Sequence, residues 1–273
     1  MGNLSVELRT TLNEDHLRHL SWMEQSNADV LVHSSDSPHG YVVPPHRHRR
    51  TQFLCVFGGV VLVSTERGRW MIPPGHALLI PRGLEHSVEM FSDVNMRSVY
   101  IFPPKGRANA CDPVVLKITD LAHHLLAEAV RPRQEDGDQR RSDLIMQLLI
   151  DEIGQLPERP LGLPFPQTDR LAGLCRDFLD RPVAGIKIDD WARRLNMSRR
   201  SFTRLFRQET GVSFSMWRQQ ACIFACLPRL ADGETVTTVA LEAGYESVPA
   251  FTTMFKRMLG ASPRLYFKAR QAA

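Results

Sequence analysis

The sequence has no apolar run approaching the ~18–20 residues that a membrane-spanning helix needs, so no transmembrane helix is indicated. It also lacks a disulfide framework. The five cysteines, Cys55, Cys111, Cys175, Cys222 and Cys226, are odd in number and scattered, which fits a reducing compartment. Cys222 and Cys226 lie about one helical turn apart and read as small core residues rather than a redox pair. The N-terminal MGNLSVELRT has neither the apolar stretch of a signal peptide nor a transit-peptide pattern. Gly2 follows Met1, but Val6 stands where myristoylation needs Ser or Thr. No nucleophile with its base stands out. These absences together describe a cytoplasmic protein that is not an enzyme.

Charge of one sign is scarce overall, with a net of +4 over 273 residues, but it is unevenly placed. Residues 168–273 hold 17 Lys+Arg against 10 Asp+Glu, while residues 1–167 hold 17 against 20. A basic module attached to a slightly acidic body suits a polyanion partner. The length suggests two domains at a prior of roughly 150 residues each.

Residues 1–35 are mixed and polar, with no chemistry apparent; Thr10 to Trp22 suits a short helix or a covering strand. Residues 39–102 read as short strands punctuated by turns, the pattern of an all-β sandwich or barrel. The turns are Gly58-Gly59, Glu66-Arg67-Gly68-Arg69, Pro73-Pro74-Gly75 and Pro81-Arg82-Gly83. His46 and His48 are one residue apart, so an extended strand points them to one side, and Gln52 keeps that parity. His86 follows the Pro81 turn.

These residues fall on two spaced motifs: Gly40, His46, His48, Gln52 and Gly59, then Gly75, Pro81, Gly83, His86 and Met90. Over Gly40 to Met90 the chain resembles the cupin family. That resemblance implies a divalent metal held by three His and a Glu. Here Gln52 takes the Glu position and Met90 the position of a motif Asn. Three imidazoles and an amide oxygen suit one transition metal such as Zn, Ni or Fe. The other reading is a metal-free pocket lined by His46, His48, Gln52 and His86 for a small-molecule effector. Loss of the anionic ligand counts against a catalytic cupin.

Cys111 and Pro113 close the barrel, giving a sensor over residues 1–113. Lys117–Val130 and Ser142–Leu156 read as amphipathic helices around a polar break at Arg131–Gly137. Their stripes are Leu121, Leu125, Leu126 and Ala129, then Leu144, Ile145, Leu148, Leu149 and Ile153. Residues 114–156 therefore either pack on the barrel or form a homodimer surface. Pro157, Pro160, Pro164 and Pro166 make residues 157–167 a linker.

Residues 168–273 are helical and repeat themselves. The first copy reads Ala192, Leu195, Ser198, Phe202, Phe206, Gly211, Ser213, Trp217; the second reads Ala240, Ala243, Ser247, Phe251, Phe255, Gly260, Ser262, Tyr266. A short helix, a tight turn and a second helix capped by Ser198 or Ser247 form a helix-turn-helix signature. Between the copies, Ser213–Leu230 is a long helix that Pro228 ends or kinks. A last helix starts at Pro263 and runs to about Arg270. In the first copy Arg199, Arg200, Thr203, Arg204 and Arg207 share the face opposite Phe202 and Phe206.

With Ala240, Gly244, Tyr245, Ser247, Phe251, Phe255, Lys256, Gly260, Ser262 and Pro263 added, residues 168–270 resemble the AraC/XylS family of transcription regulators. The histidine motifs further resemble the subgroup with metal-type cupin sensors. The resemblance implies an α+β chain: a cupin barrel with two helices, then two helix-turn-helix units joined by a long helix on adjacent major-groove segments of double-stranded DNA. Recognition positions carry over to Arg200, Thr203 and Arg204, and to Val248, Pro249, Ala250 and Thr253. The first set offers hydrogen bonds to bases; the second is nearly apolar. Lys256 and Arg257 fall near phosphates. Cys222 stands where an Arg is common, which loosens the bracing of the two units. An activator of this family would also contact RNA polymerase. The alternative function is a metal-dependent dioxygenase or isomerase fused to a DNA-binding module; a third is a scaffold without sequence preference.

Overall fold

A computed structural model describes residues 4–103, 111–131, 139–159, 162–164, 166, 168–180, 182–231 and 233–268. The polar break expected around residues 132–137 and the end of the last helix beyond 268 lie outside them. The chain divides into two compact units, Met1–Thr65 with Trp70–Pro160, and Glu66–Arg69 with Leu161–Ala273. None of the described helices is long and apolar enough to cross a membrane.

The first unit opens with a helix, α1 (Val6–Gln25), capped by the Ser5 hydroxyl accepting from the Leu8 N–H. The strands are β1 (Val30–Ser37), β2 (Val42–His46), β3 (Thr51–Gly58), β4 (Val61–Thr65), β5 (Gly68–Ile72), β6 (His76–Ile80), β7 (His86–Met90), β8 (Val94–Ile101) and β9 (Val114–Lys117). One sheet has the order β1-β8-β3-β6-β9 and the other includes β5-β4-β7-β2. The expected β domain is thus two sheets, jelly-roll fashion, and not one closed ring. It also extends past Pro113, because β9 pairs with β6 from His76↔Lys117 to Leu79↔Val114.

Strand β3 is buried on both faces, which explains its continuous apolar run. Its Phe53 and Cys55 join Ala77, Leu79, Val99 and Leu116 in a core against α2 (Asp120–Ala129) and α3 (Gln139–Gln155). Ala122, Leu125, Leu126, Leu149 and Ile153 are the buried helix residues in that core. Leu121, Leu144 and Leu148 were expected in the same stripes, yet are 47, 55 and 45% exposed. The stripes are therefore split between core and solvent. The other face of β3, with Gln52 and Leu54, looks into the cavity between the sheets.

Gly59 joins β3 to β4 at φ +78°, and a Cβ there would lie 2.2 Å from the Asp93 carbonyl oxygen. Left-handed backbone and a clash with main chain both oppose a side chain. Gly59→Ala is expected to lower stability by more than about 2 kcal/mol. Urea unfolding followed by circular dichroism checks this as a lower midpoint at unchanged slope.

The described parts of the Pro-rich segment are hydrogen-bonded. Its start runs along β9, with the Lys117 N–H donating to the Pro157 carbonyl and the Arg159 N–H to that of Val115. In the second unit, β10 (Gly162–Pro164) accepts a bond from the Trp217 indole at 3.0 Å through Pro164.

That unit contains α4 (Asp169–Asp180), α5 (Ile188–Arg194), α6 (Arg199–Thr210), α7 (Phe214–Ala231), α8 (Val236–Glu242), α9 (Val248–Leu259) and α10 (Pro263–Lys268). The repeat is physical. Ser198 and Ser247 cap α6 and α9 through the Ser201 and Ala250 N–H groups. Gly211 and Gly260 end them at φ 73° and 85°. Helix α7 continues beyond Pro228 to Ala231. Trp191, Phe202, Phe206, Phe214 and Trp217 form one buried aromatic cluster under the first copy.

Candidate functional site

In the β domain, His46, His48 and His86 do converge, but not through strand parity. Strand β2 ends at His46, and His48 sits in the loop before β3. That loop is held by Arg50, a fully buried guanidinium. Its Nε, Nη1 and Nη2 donate to the carbonyls of Met23, Ala28 and Ser26 at 3.2, 2.8 and 2.7 Å. Arg49 adds bonds to Glu24 and Ser26. The end of α1 is thus tied to the loop that carries His48.

Each imidazole places its Nδ1 on a backbone carbonyl: His46 on Pro44 at 2.9 Å, His48 on Arg50 at 2.7 Å, His86 on Leu84 at 3.0 Å. A carbonyl only accepts, so each Nδ1 carries the proton. Burial lowers all three pKa values, His86 to about 3, so the rings are neutral near pH 7. A neutral ring has one N–H, so each Nε2 is left with a lone pair. Ligand atoms of the three residues lie within 4.8 Å of one another. The His86 Nε2 is buried without a hydrogen-bond partner.

Gln52 completes the set. Its amide nitrogen donates to Ser98 Oγ at 3.0 Å and Tyr100 OH at 3.3 Å, and its oxygen lies 3.2 Å from His48 Nε2. His48 Nε2 and the Gln52 oxygen are within hydrogen-bond distance, and a proton or a bound cation between them would satisfy both. Ligating histidines typically give their other N–H to a carbonyl or carboxylate, which fixes tautomer and orientation. The donor set therefore fits a divalent transition metal. No ion is present.

A cavity of about 360 Å³ adjoins these residues. Its lining includes Tyr41, Val43, His46, Gln52, Ser98 and Tyr100, and also three histidines with no expected role: His16, His19 and His33. His16 and His19 come from α1 and His33 from β1. Their spacing held a signal, because residues three apart on a helix share a face. His19 stacks on His33 at 3.8 Å and its Nε2 lies 3.1 Å from Tyr100 OH.

Burial, reinforced by neighbouring imidazoles, lowers His16 to about 4 and His19 to about 3, against an ordinary 6.5. The unfolded chain binds protons first as pH falls. Stability is therefore complete above about pH 6.5 and is lost as pH drops toward the folded values. The thermal midpoint of metal-free protein in chelator is expected to fall steadily between about pH 6.5 and 4; a flat profile there contradicts this protonation picture.

In the second unit, Ser198, Arg199, Arg200, Thr203, Arg204 and Arg207 are all exposed on or beside α6. They are not equivalent. Arg199 pairs with Asp189 of α5 at 3.6 Å. The Thr203 hydroxyl donates to the Arg199 carbonyl at 2.8 Å, which leaves its methyl group outward. Among the described residues Arg200, Arg204 and Arg207 form no ion pair. On α9, Ser247, Pro249, Ala250, Thr253, Lys256 and Arg257 are exposed and Val248 is half-buried. Arg257 is engaged by Gln219 of α7 at 2.8 Å.

The two copies are braced through main chain. The Ala184 N–H, ahead of α5, donates to the Ala243 carbonyl at the end of α8, at 2.9 Å. Arg218 of α7 reaches the Ile186 carbonyl. Cys222 and Cys226 are buried, and burial raises both thiols to about 12, as befits core residues.

Two family models match the chain: a helix-turn-helix domain over residues 191–269 and an AraC-like ligand binding domain over residues 30–150. The HTH-type transcriptional regulator NimR of Escherichia coli (strain K12) is 32% identical over 223 residues, covering 82% of this chain and 81% of NimR. ToxT of Vibrio cholerae O395 aligns over 90% of this chain and 99% of its own, at 12% identity and a TM-score of 0.39. The DNA-binding domain of the transcriptional factor AdpA, solved with a target DNA, aligns over 38% of this chain and 96% of its own. Its identity is 31% and its TM-score 0.36. The chain belongs to the AraC family of helix-turn-helix transcriptional regulators, with an AraC-like ligand-binding domain ahead of its DNA-binding domain.

Proposed function

We propose that the β domain senses one divalent transition metal (Zn, Ni or Fe) through His46, His48, Gln52 and His86. A small-molecule effector occupies the adjoining cavity, and this occupancy sets how the C-terminal unit holds DNA. The observation that carries the reading is the fixed tautomer of three histidines: every Nδ1 is spent on a carbonyl, leaving three lone pairs that converge. A metal there would supply a fixed positive charge and an open coordination position for an effector. Among the described residues the cavity lining contains no Lys or Arg to play that part.

The site is sensory rather than catalytic. Where enzymatic cupins place a carboxylate, Gln52 has its amide anchored by Ser98 and Tyr100. Arg200, Thr203 and Arg204 of α6 read bases in the major groove, while Val248, Pro249, Ala250 and Thr253 of α9 position the second unit on sugars and thymine methyls. Lys256 rests near phosphate. The exposed Leu121, Leu144 and Leu148 suit a homodimer surface. Residues 1–156 act as the sensor with its helices and 168–273 as the DNA-binding domain. A DNA ligand and an odd, scattered set of five cysteines fit a cytoplasmic location, with RNA polymerase a contact if the protein activates.

Equilibrium dialysis of the purified chain against Zn(II), Ni(II) and Fe(II), each with and without chelator, tests the sensor. One ion per chain supports it; no uptake of any of the three overturns the metal reading and leaves the metal-free pocket.

A further inference from the structure

The metal reading leaves one imidazole unexplained. His16 of α1 lines the same cavity, and its Nε2 is buried with no hydrogen-bond partner. Its ring stands edge-on to His46, with centroids 4.5 Å apart and planes at 73°. An unpartnered nitrogen in such a place is costly unless something meets it. Nothing in the packing of α1 requires a histidine there, because the residue that anchors the helix in the core is Met23.

Two further facts point the same way. The sequence motif lacks its carboxylate, so the β domain alone offers three imidazoles and a neutral amide. Helix α1 is also fastened at both ends of its contact with the site. Arg50 holds the carbonyls of Met23, Ser26 and Ala28, and Tyr41 OH donates to Asn13 Oδ1 at 3.2 Å. His16 lies between those fastenings.

We propose that His16 is a further ligand of the metal, supplied by α1 in place of the missing carboxylate, so that metal binding and the seating of α1 are one event. The proposal rests on the metal reading above. His16 stands outside the cluster of His46, His48 and His86 within 4.8 Å. Ligation therefore swings the His16 ring toward that cluster from the fastened helix, and hydrogen exchange of α1 reports occupancy of the site.

Co(II) titration of the full chain tests this, because its visible spectrum reports ligand number and type. His16→Cys is expected to bind one Co(II) and to gain a near-ultraviolet thiolate-to-cobalt charge-transfer band that the wild type lacks. His16→Ala is expected to weaken Co(II) at least about tenfold, since even supporting residues of metal sites cost 10–100-fold. Hydrogen exchange over residues 6–25 should slow on Co(II) binding in the wild type and not in His16→Ala. If the wild type binds Co(II) and His86→Ala does not, the triad holds. In that case no charge-transfer band in His16→Cys, with unchanged affinity in His16→Ala, overturns the role of His16 alone. If the wild type takes up no Co(II), the metal reading itself falls, and this proposal with it.

Discussion

Arg204→Ala is expected to weaken binding to the protein's own DNA site by roughly 5- to 150-fold, the range of a lost bidentate base contact worth about 1–3 kcal/mol. Arg204 is exposed on α6, is one helical turn from Arg200, and has no ion pair among the described residues. Arg199 differs: Asp189 already holds its guanidinium. Arg199→Ala should therefore cost less than Arg204→Ala. Thr253→Ala on α9 should cost little, because that face offers few hydrogen bonds. Fluorescence anisotropy with the mapped site and a scrambled duplex separates the effects. Loss confined to the specific duplex marks base readout; equal loss on both marks a phosphate contact.

His86→Ala is expected to reduce metal affinity by more than about 100-fold, beyond the 10–100-fold typical of supporting residues. The ring is 1% exposed and its Nε2 has no other partner, so its removal is not compensated by solvent or a neighbour. Gln52→Ala should cost less metal affinity, since a neutral amide oxygen is a weak ligand beside imidazole. It should cost folding stability instead, because Ser98 and Tyr100 would lose a buried partner. Isothermal titration with Zn(II), alongside urea unfolding, distinguishes the two. Equal metal loss in both variants would mean that Gln52 contributes as much to affinity as His86 and would contradict this ranking.

The C-terminal unit was legible because its signals are local. Ser198 and Ser247 before the recognition helices, and Gly211 and Gly260 after them, act on backbone groups within four residues. The glycines of the β motifs are legible for a similar reason, Gly59 and Gly83 each sitting at positive φ. The β site was legible in its residues but not in its cause. His48 leaves the strand, and the buried Arg50, four residues after His46, brings the loop back. Nothing in alternation patterns reveals a guanidinium spent on helix-end carbonyls.

Other elements depend on partners far along the chain. Val114–Lys117 runs into a helical stripe, and only its pairing with β6 makes it a strand. Helix α1 has one buried apolar residue, and its inner face carries His16 and His19. Polarity scales count those as solvent-facing, so the helix that roofs the cavity looked featureless. The exposure of Leu121, Leu144 and Leu148 follows from which side of α2 and α3 meets β3, a choice that periodicity alone leaves open.

A regulator responds to a ligand only if its DNA-competent and incompetent states differ in affinity for that ligand. The most direct measurement is therefore the affinity of the wild-type chain for its mapped DNA site with Zn(II) or Ni(II) and with chelator, repeated for His48→Ala and His86→Ala. The expected result is at least a tenfold change between metal and chelator in the wild type, about 1.4 kcal/mol of coupling, and none in either variant. One affinity for the wild type in every metal state, shared by both variants, would contradict the account.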